Sequence, residues 1–437
     1  MRLHIFQSAQ GDCLLLEAKD RTLVLCDGGM RSSVKSHVRR ALGALRDAGR
    51  ELEYVYVSHI DSDHISGVLQ LLEDEVQWRV FEYQQSAGNP AAQEPAIPRP
   101  PVIKGMLHNS FRDQIGINET TAVEDLLAAA VPSLFATADP RLVDVALDLQ
   151  EIGVSIPEAI EVSRLSAPDA LDIPVNRLPG TTEAPKLLFF RDEAQSFDVG
   201  SMTFTIVGPT RQELTDLKTG WVTWLRDNKE KVRDQRRELK RRIDEFSNAV
   251  PGSPFDLRDW NGIPDYKGVS APNVASLMFM VEDDGKRVLL TGDSQQDKIL
   301  DGLRQTGFLA GQGLHVDVLK VQHHGSENNL DEEFARQVSA RHYVFCGNGL
   351  HGNPDLSVID FVFASRRGPA SVRALAPEAD GETFHFWFST TSAAQEEGSA
   401  RRVVFEALED HVALLRASAQ GQLVVHYNDD ESIELAV

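Results

Sequence analysis

The stretch from Tyr54 to Gly67 constrains the fold of this chain more than any other part of the sequence. An apolar run of strand character is followed, within six residues, by four side chains that can bind a metal: His59, Asp61, Asp63 and His64. Ionisable side chains are rarely placed beside a buried strand unless they are paired or ligated. A solvated polar turn seldom concentrates histidine with aspartate. The stretch therefore predicts metal ligands at the end of a buried strand.

Later strand ends carry the same residue types. Asp293 follows the second strand of a predicted hairpin, and His323 and His324 follow the strand Val316 to Val321. His351 comes after a further predicted strand. Open α/β sheets place their sites at the carboxyl ends of strands, so these residues are candidates for one site. The strand that ends in His108 offers another imidazole, although by itself this position is more typical of a hydrogen-bonded structural histidine than of a ligand.

Strands and helices alternate over both halves of the chain, which predicts two sheets with helices outside them. Residues 112–190 are rich in alanine, leucine and proline, and we interpret them as a helical insertion. Residues 221–246 interleave acidic and basic side chains, which is typical of a charged, solvated helix. We expect a core domain over residues 1–371. Residues 372–437 are expected to form a β-rich extension packed on it.

Composition excludes some classes of function. The formal net charge of −22 argues against a broad phosphate-binding surface, because non-specific nucleic-acid affinity comes mainly from clustered lysine and arginine. A local groove for nucleic acid stays open as an alternative. The three cysteines form no CxxC pair, which is typical of a reducing compartment. The sequence contains no apolar run of 18 residues, so we expect a cytoplasmic protein that does not enter a membrane.

Taken in order, these motifs resemble the metallo-β-lactamase-fold hydrolase superfamily. Within it, they are most similar to the branch that contains the metallohydrolase domain of the bacterial DNA-uptake channel protein. The resemblance covers about residues 1–365 and is carried by six motifs: Gln10-Gly11-Asp12, Asp27-Gly28-Gly29, His59-x-Asp61-x-Asp63-His64, Thr291-Gly292-Asp293, His323-His324-Gly325-Ser326 and His351-Gly352-Asn353-Pro354.

This resemblance implies an αββα four-layer sandwich with a dinuclear metal site at one edge. It assigns one metal position to His59, Asp61 and His108. The other position takes Asp63, His64 and one histidine of the 323/324 pair, and Asp293 bridges the two. We favour His324 as the ligand and His323 as a proton-transfer group.

Asp61 departs from the pattern common in the superfamily, where this position is histidine. A further carboxylate hardens the site and shifts its preference from zinc towards manganese or iron. Two divalent ions about 3.5–4 Å apart can activate a water and clamp the oxygens of a phosphoryl or carbonyl group. His323 or His351, if unligated, could protonate the leaving group, and Asp63 belongs to the same catalytic set.

The sequence thus predicts a metal-dependent hydrolase, with a phosphodiesterase or nuclease as the favoured activity. A nucleotide or another phosphodiester would be its substrate. Two alternatives stay open: a non-catalytic or regulatory metal-binding protein with a protein partner, and an acyl or lactam hydrolase with the same metal chemistry. A serine or cysteine hydrolase is disfavoured, since no GxSxG motif or cysteine and histidine pairing accompanies the histidines.

Overall fold

The computed structural model describes residues 1–110, 113–114, 158–219 and 275–437 of the chain. The charged helix predicted at 221–246 lies outside these residues, as does most of the insertion predicted at 112–190. In the described part of that insertion, residues 158–166 form a helix and residues 167–190 are largely irregular.

Six strands form the first sheet, in the order β14-β1-β2-β3-β4-β5. Their bounds are Arg2–Phe6 (β1), Leu14–Glu17 (β2), Leu23–Cys26 (β3), Tyr54–Val57 (β4), Met106–His108 (β5) and Ser432–Ala436 (β14). The pairs formed by β14, β1, β2 and β3 are antiparallel, whereas β4 is parallel to both β3 and β5. The carboxyl ends of β3, β4 and β5 therefore share one edge.

Eight strands form the second sheet, in the order β13-β12-β11-β10-β9-β8-β7-β6. Their bounds are Ser196–Val199 (β6), Met202–Gly208 (β7), Met278–Asp283 (β8), Lys286–Leu290 (β9), Leu314–Lys320 (β10), Val338–Phe345 (β11), Phe384–Phe388 (β12) and Leu423–Tyr427 (β13). Strands β6 to β9 pair antiparallel, and β9 to β13 run parallel. Residues after 372 thus add β12 and β13 to this sheet and β14 to the first.

Eight helices accompany the sheets in the described part of the chain. The first, α1, has three consecutive segments, of which the middle one is π-helical. The bounds are Arg31–Ser33, Val34–Val38 and Arg39–Asp47 (α1), Ser62–Ser86 (α2), 158–166 (α3), 211–219 (α4), Gln296–Gln305 (α5), Glu332–Gln337 (α6), Leu356–Arg367 (α7) and Ala400–Ser418 (α8). Among the described helices, none combines the length and apolarity needed to cross a bilayer.

Three apolar clusters divide the molecule into four layers. In β4, Tyr56 faces a cluster shared with residues of the second sheet such as Phe279, whereas Val55 faces a cluster built with α1 and α2. A third cluster joins the far face of the second sheet, which includes Leu319, to α5, α6, α7 and α8. Successive strand residues point to opposite faces, so strands covered on both sides read as continuous apolar runs. The predicted αββα four-layer sandwich is confirmed.

Candidate metal centre

The predicted ligands lie where the carboxyl ends of parallel strands from both sheets meet. In the first sheet β4 leads to His59 and β5 ends in His108, while in the second β9 leads to Asp293 and β10 to His324. The backbone joins the two sheets here, because the amide of Leu277 donates to the carbonyl of Ser58 at 2.8 Å. The convergence predicted from the sequence is therefore present.

Helix α2 carries two of the candidate ligands. Its first residue is Ser62, so Asp63 and His64 lie in its first turn. Glycines let this turn approach the loop after β3: the amide of Gly28 donates to the carbonyl of His64 at 2.9 Å. A Cβ atom on Gly67 would lie 2.0 Å from the carbonyl oxygen of Gly28, so only glycine fits there.

A single carboxylate oxygen, Oδ2 of Asp293, lies at the centre of the candidate site. Four imidazole Nε2 atoms surround it: His324 at 3.1 Å, His64 at 3.2 Å, His59 at 3.9 Å and His323 at 3.9 Å. Both sheets contribute, since two of these histidines follow β4 and two follow β10. One carboxylate facing several imidazoles is the donor set that a divalent transition metal prefers.

Each of the four imidazoles is oriented through its other ring nitrogen. Nδ1 of His64 lies 2.9 Å from Oδ2 of Asp27, and Nδ1 of His324 lies 3.2 Å from Oδ1 of Asp12. The remaining Nδ1 contacts are to Ser58 Oγ for His59, at 3.0 Å, and to Asn329 Oδ1 for His323, at 2.6 Å. A ligating histidine characteristically uses its second nitrogen in this way, which fixes the tautomer and aims Nε2 at the ion.

Two more aspartates complete the cluster. Oδ2 of Asp63 lies 3.1 Å from Nε2 of His324, and Oδ2 of Asp61 lies 3.5 Å from Nε2 of His59. The Nε2 atoms of His59 and His324 are buried and have no aligned hydrogen-bond partner among the described residues. Buried polar atoms are normally satisfied, so nitrogens left facing carboxylates fit ligation by a metal ion.

Two residues in the cluster, Asp12 and Lys320, had no assigned role in the sequence analysis. Asp12 belongs to a group of four residues that each offer one potential ligand atom; the others are His64, Asp293 and His324. These four atoms all lie within 4.8 Å of one another. Asp12 also contacts the ammonium of Lys320, which is 2% exposed. That ammonium donates to Oδ1 of Asp293 at 3.3 Å and to the carbonyl of Gly292 at 3.0 Å. Lys320 therefore holds one oxygen of Asp293 and leaves the other for the imidazoles.

Burial and charge compete in setting the pKa values of the cluster. Burial alone would lower the pKa of His64, but Asp293, Asp63 and Asp27 outweigh it and raise that pKa well above its ordinary value. The same competition raises the pKa of His324, chiefly through Asp293 and Asp12. Burial would raise the pKa of Asp293, yet the neighbouring histidines and Lys320 lower it well below its ordinary value. The carboxylates thus favour positive charge at His64 and His324, whether it comes from protons or from a metal ion.

His108 lies at the same edge with both ring nitrogens buried. Its backbone is held by Asn176, whose side chain accepts from the amide and donates to the carbonyl of His108, each at 2.8 Å. Neither ring nitrogen has an aligned partner among the described residues. Burial, with a smaller contribution from His59, lowers the pKa of His108 to about 4, so the ring is neutral at pH 7. A neutral imidazole is the form in which histidine binds metals.

The double histidine lies on a strained turn, Gln322–Gly325. His323 and His324 have φ angles of 47° and 55°, which is the left-handed region that non-glycine residues seldom adopt. Strain of this kind is typical of functional sites, where the surrounding structure enforces it. The turn separates the two rings: the side chain of His324 is 6% exposed and that of His323 is 25% exposed.

His351 lies apart from the cluster. It is exposed on the turn Leu350–Gly352, and among the described contacts none joins its ring to the histidines around Asp293. The two turns do meet, since the side chain of Asn353 donates to the carbonyl of His323 at 3.5 Å. A catalytic role for His351 stays a prediction.

Comparison with known proteins agrees with this geometry. Residues 8–76 match the metallo-beta-lactamase superfamily. The matched segment includes β2 to β4 and the start of α2, and with them Asp12, Asp27 and the run from His59 to His64. No curated protein matches the chain. The match shows that this segment is similar to the metallo-beta-lactamase superfamily, and it does not identify the DNA-uptake branch within it.

Two solved structures show weak similarity over nearly the whole chain. One is Zn(2+)-bound PqqB from Methylobacterium extorquens, which is 11% identical, with 100% of each chain covered and a TM-score of 0.33. The other is a protein of unknown function from Enterococcus faecalis V583, which is 8% identical, with 98% of this chain and 88% of that chain covered and a TM-score of 0.25.

Proposed function

We propose that this protein is a hydrolase that uses two divalent metal ions, and that it cleaves phosphodiesters. The observation that carries the proposal is the convergence of four imidazole Nε2 atoms on Oδ2 of Asp293. One ion would be held by His59, Asp61 and His108, and the second by Asp63, His64 and His324. Asp293 would bridge the two.

Charge balance supports two ions over one. Five aspartates lie in or against the cluster, Asp12, Asp27, Asp61, Asp63 and Asp293, and Lys320 is the one cation that contacts them among the described lysines and arginines. With neutral imidazoles the site therefore carries an excess of four negative charges, which two divalent ions would balance. Buried charge that is not compensated is costly, so a single ion is the less favourable occupancy.

The ions would lower the pKa of a bound water towards neutrality and stabilise the charge that develops during hydrolysis. The chain's own residues orient this chemistry. Asp27 and Asp12 fix the tautomers of His64 and His324. His323 combines partial exposure with an Nδ1 that donates to Oδ1 of Asn329, and burial lowers the pKa of His323. Its Nε2 therefore carries a lone pair, which could accept a proton from water and pass it on to a leaving group.

The ligand set supports a phosphodiester over an acyl substrate. Asp61, Asp63 and Asp293 make the site rich in hard oxygen donors, which favour manganese or iron beside zinc. Two metal ions held in this way can stabilise both the attacking and the leaving oxygen in the in-line displacement of phosphoryl transfer. The motif resemblance to the DNA-uptake branch points the same way.

Metal analysis combined with a substrate panel tests the proposal. Protein loaded with Zn²⁺ or Mn²⁺ is assayed on bis-p-nitrophenyl phosphate, nitrocefin and a thioester. We expect about two metals per chain and turnover of the phosphodiester alone. Asp293→Ala should abolish turnover. Asp283→Asn is the matched control, because Asp283 is a buried aspartate at the end of β8, outside the cluster, where it accepts from the amide of Lys19.

Each other outcome identifies an alternative. Turnover of nitrocefin or the thioester without the phosphodiester would support an acyl or lactam hydrolase. Metal binding without any turnover would support a regulatory metal-binding protein. Full phosphodiesterase activity in Asp293→Ala would refute the proposed site.

A further inference from the structure

A small polar cavity lies beside the candidate metal centre. Its volume is about 160 Å³, and it is formed by the first turns of α1, the loops after β1 and β11, and residues 390–395. Whole small-molecule sites usually occupy roughly 300–1,000 Å³. The cavity is therefore sized for one part of a larger ligand.

Two chain segments place this cavity next to the metal ligands. Asn348, in its wall, follows Gly347, where a Cβ atom would lie 3.3 Å from Cβ of His324. Ala9, also in its wall, is two residues before Gly11, where a Cβ atom would overlap the carbonyl of Asp63. Consecutive Cα atoms are about 3.8 Å apart, so the cavity begins within roughly 10 Å of both ligands.

The cavity is lined by neutral hydrogen-bonding groups. Its polar lining comprises three serines, His37, Asn348, Thr390 and two glutamines, and it contains no aspartate, glutamate, lysine or arginine. Asn348 is 4% exposed, and its Oδ1 accepts from the amide of Leu350 at 3.3 Å. Its Nδ2 has no partner among the described residues, so this side chain offers the cavity a hydrogen-bond donor.

The other lining groups add both acceptors and donors. Gln395 donates through Nε2 to Oγ1 of Thr390 at 3.0 Å, which leaves its Oε1 as an acceptor. The hydroxyl of Ser33, a residue 4% exposed, can both donate and accept, as can the exposed hydroxyls of Ser32 and Ser36 at the rim. Mixed neutral donors and acceptors complement a group that carries several hydroxyls.

We propose that this cavity binds the sugar moiety of a sugar phosphate ester whose phosphate lies at the metal centre. The inference rests on the proposed function, because the sugar is the alcohol half of the phosphodiester. A nucleobase fits the lining less well, since no phenylalanine, tyrosine or tryptophan is present for stacking. A second phosphate fits less well too, since no basic side chain lines the cavity apart from His37.

Equilibrium binding to the metal-loaded protein tests the sugar pocket without requiring turnover. Ribose 5-phosphate is compared with methyl phosphate, which has the phosphate but no sugar, and with propane-1,3-diol bisphosphate, which offers a second phosphate. We expect ribose 5-phosphate to bind about tenfold more tightly than methyl phosphate, the effect of one or two additional hydrogen bonds. Asn348→Ala and Ser33→Ala should each remove most of this preference. Ser86→Ala, an exposed serine at the end of α2, should retain it.

The remaining outcomes separate this inference from the proposed function. Equal binding of ribose 5-phosphate and methyl phosphate, or no binding of ribose 5-phosphate, would overturn the sugar pocket. Tighter binding of the bisphosphate than of ribose 5-phosphate would also overturn it, in favour of an anion site. A sugar preference without any hydrolysis of bis-p-nitrophenyl phosphate would leave the pocket standing and refute the phosphodiesterase. If Asn348→Ala fails to fold, Ser33→Ala decides the test.

Discussion

Replacing Lys320 with methionine isolates the charge that is buried beneath the candidate metal centre. The ammonium is 2% exposed, and its partners Asp12 and Asp293 are 3% and 2% exposed. Removing one partner of a buried ion pair costs about 3–5 kcal/mol, because the remaining charge is left uncompensated. We therefore expect Lys320→Met to lower the free energy of unfolding of the metal-free protein by about 3–5 kcal/mol at pH 7. Urea unfolding in the presence of EDTA, followed by tryptophan fluorescence, measures this loss.

The pair of Lys286 and Asp317 provides the matched control. Its Nζ and Oδ1 atoms are 2.9 Å apart, but the side chains are 33% and 18% exposed. Such pairs contribute about 0–1 kcal/mol, so Lys286→Met should have a small effect. Adding Asp12→Asn to Lys320→Met should recover part of the lost stability, since it removes one of the unpaired carboxylates. An equal loss in Lys320→Met and Lys286→Met would refute the reasoning.

Three further perturbations address the ligands themselves. Asp27→Asn should weaken metal affinity about 10- to 100-fold in a chelator competition, because Asp27 orients His64; unchanged affinity would contradict that role. His108→Leu should raise the urea midpoint of the metal-free protein, since it replaces a buried, desolvated imidazole by an apolar side chain. It should also lower the metal content towards one ion per chain, and two ions would exclude His108 as a ligand. The raised pKa values of His64 and His324 stabilise the metal-free protein below about pH 6.5, and this contribution is lost as pH rises through the folded-state values. Zn²⁺ binding at pH 7 should accordingly release about two protons, measured by calorimetry in buffers of different ionisation enthalpy, and no release would contradict the assignment.

The parts of the fold that follow from local pattern could be predicted from the sequence. Apolar runs such as Tyr54–Val57 mark strands covered on both faces, and the recurrence of histidine and aspartate after such strands predicts where the sheets meet. The length of α2 could not be predicted in this way. Beyond Asp74 its residues become partly or fully exposed: Val80 and Tyr83 keep the helical spacing but are 49% and 74% exposed, so no core contact marks this part of the helix. Helix-forming glutamate, glutamine and arginine carry it on to Ser86.

The contacts that orient the ligands could not be predicted either, because they join distant parts of the chain. Asp12 and His324 are 312 positions apart, and nothing near either residue specifies the other. Lys320 is one of two charged residues in β10, the other being Asp317, and a charged residue in a strand ordinarily indicates a solvent-facing position. Its burial becomes understandable only when Asp12 and Asp293 are seen beside it. The left-handed conformation of His323 and His324 likewise depends on the turn that the tertiary structure imposes.

The division of ligands between the sheets gives the metal a structural role as well as a chemical one. Helix α2 and strand β5 bring His64 and His108 from the first sheet, whereas Asp293 and His324 follow strands of the second. Ions bound between them would link the two layers and stabilise the folded state in proportion to the logarithm of metal concentration over Kd. The apolar cluster between the sheets, which includes Tyr56 and Phe279, does not depend on metal. Removal of metal should thus loosen the edge that carries the site while the sandwich persists.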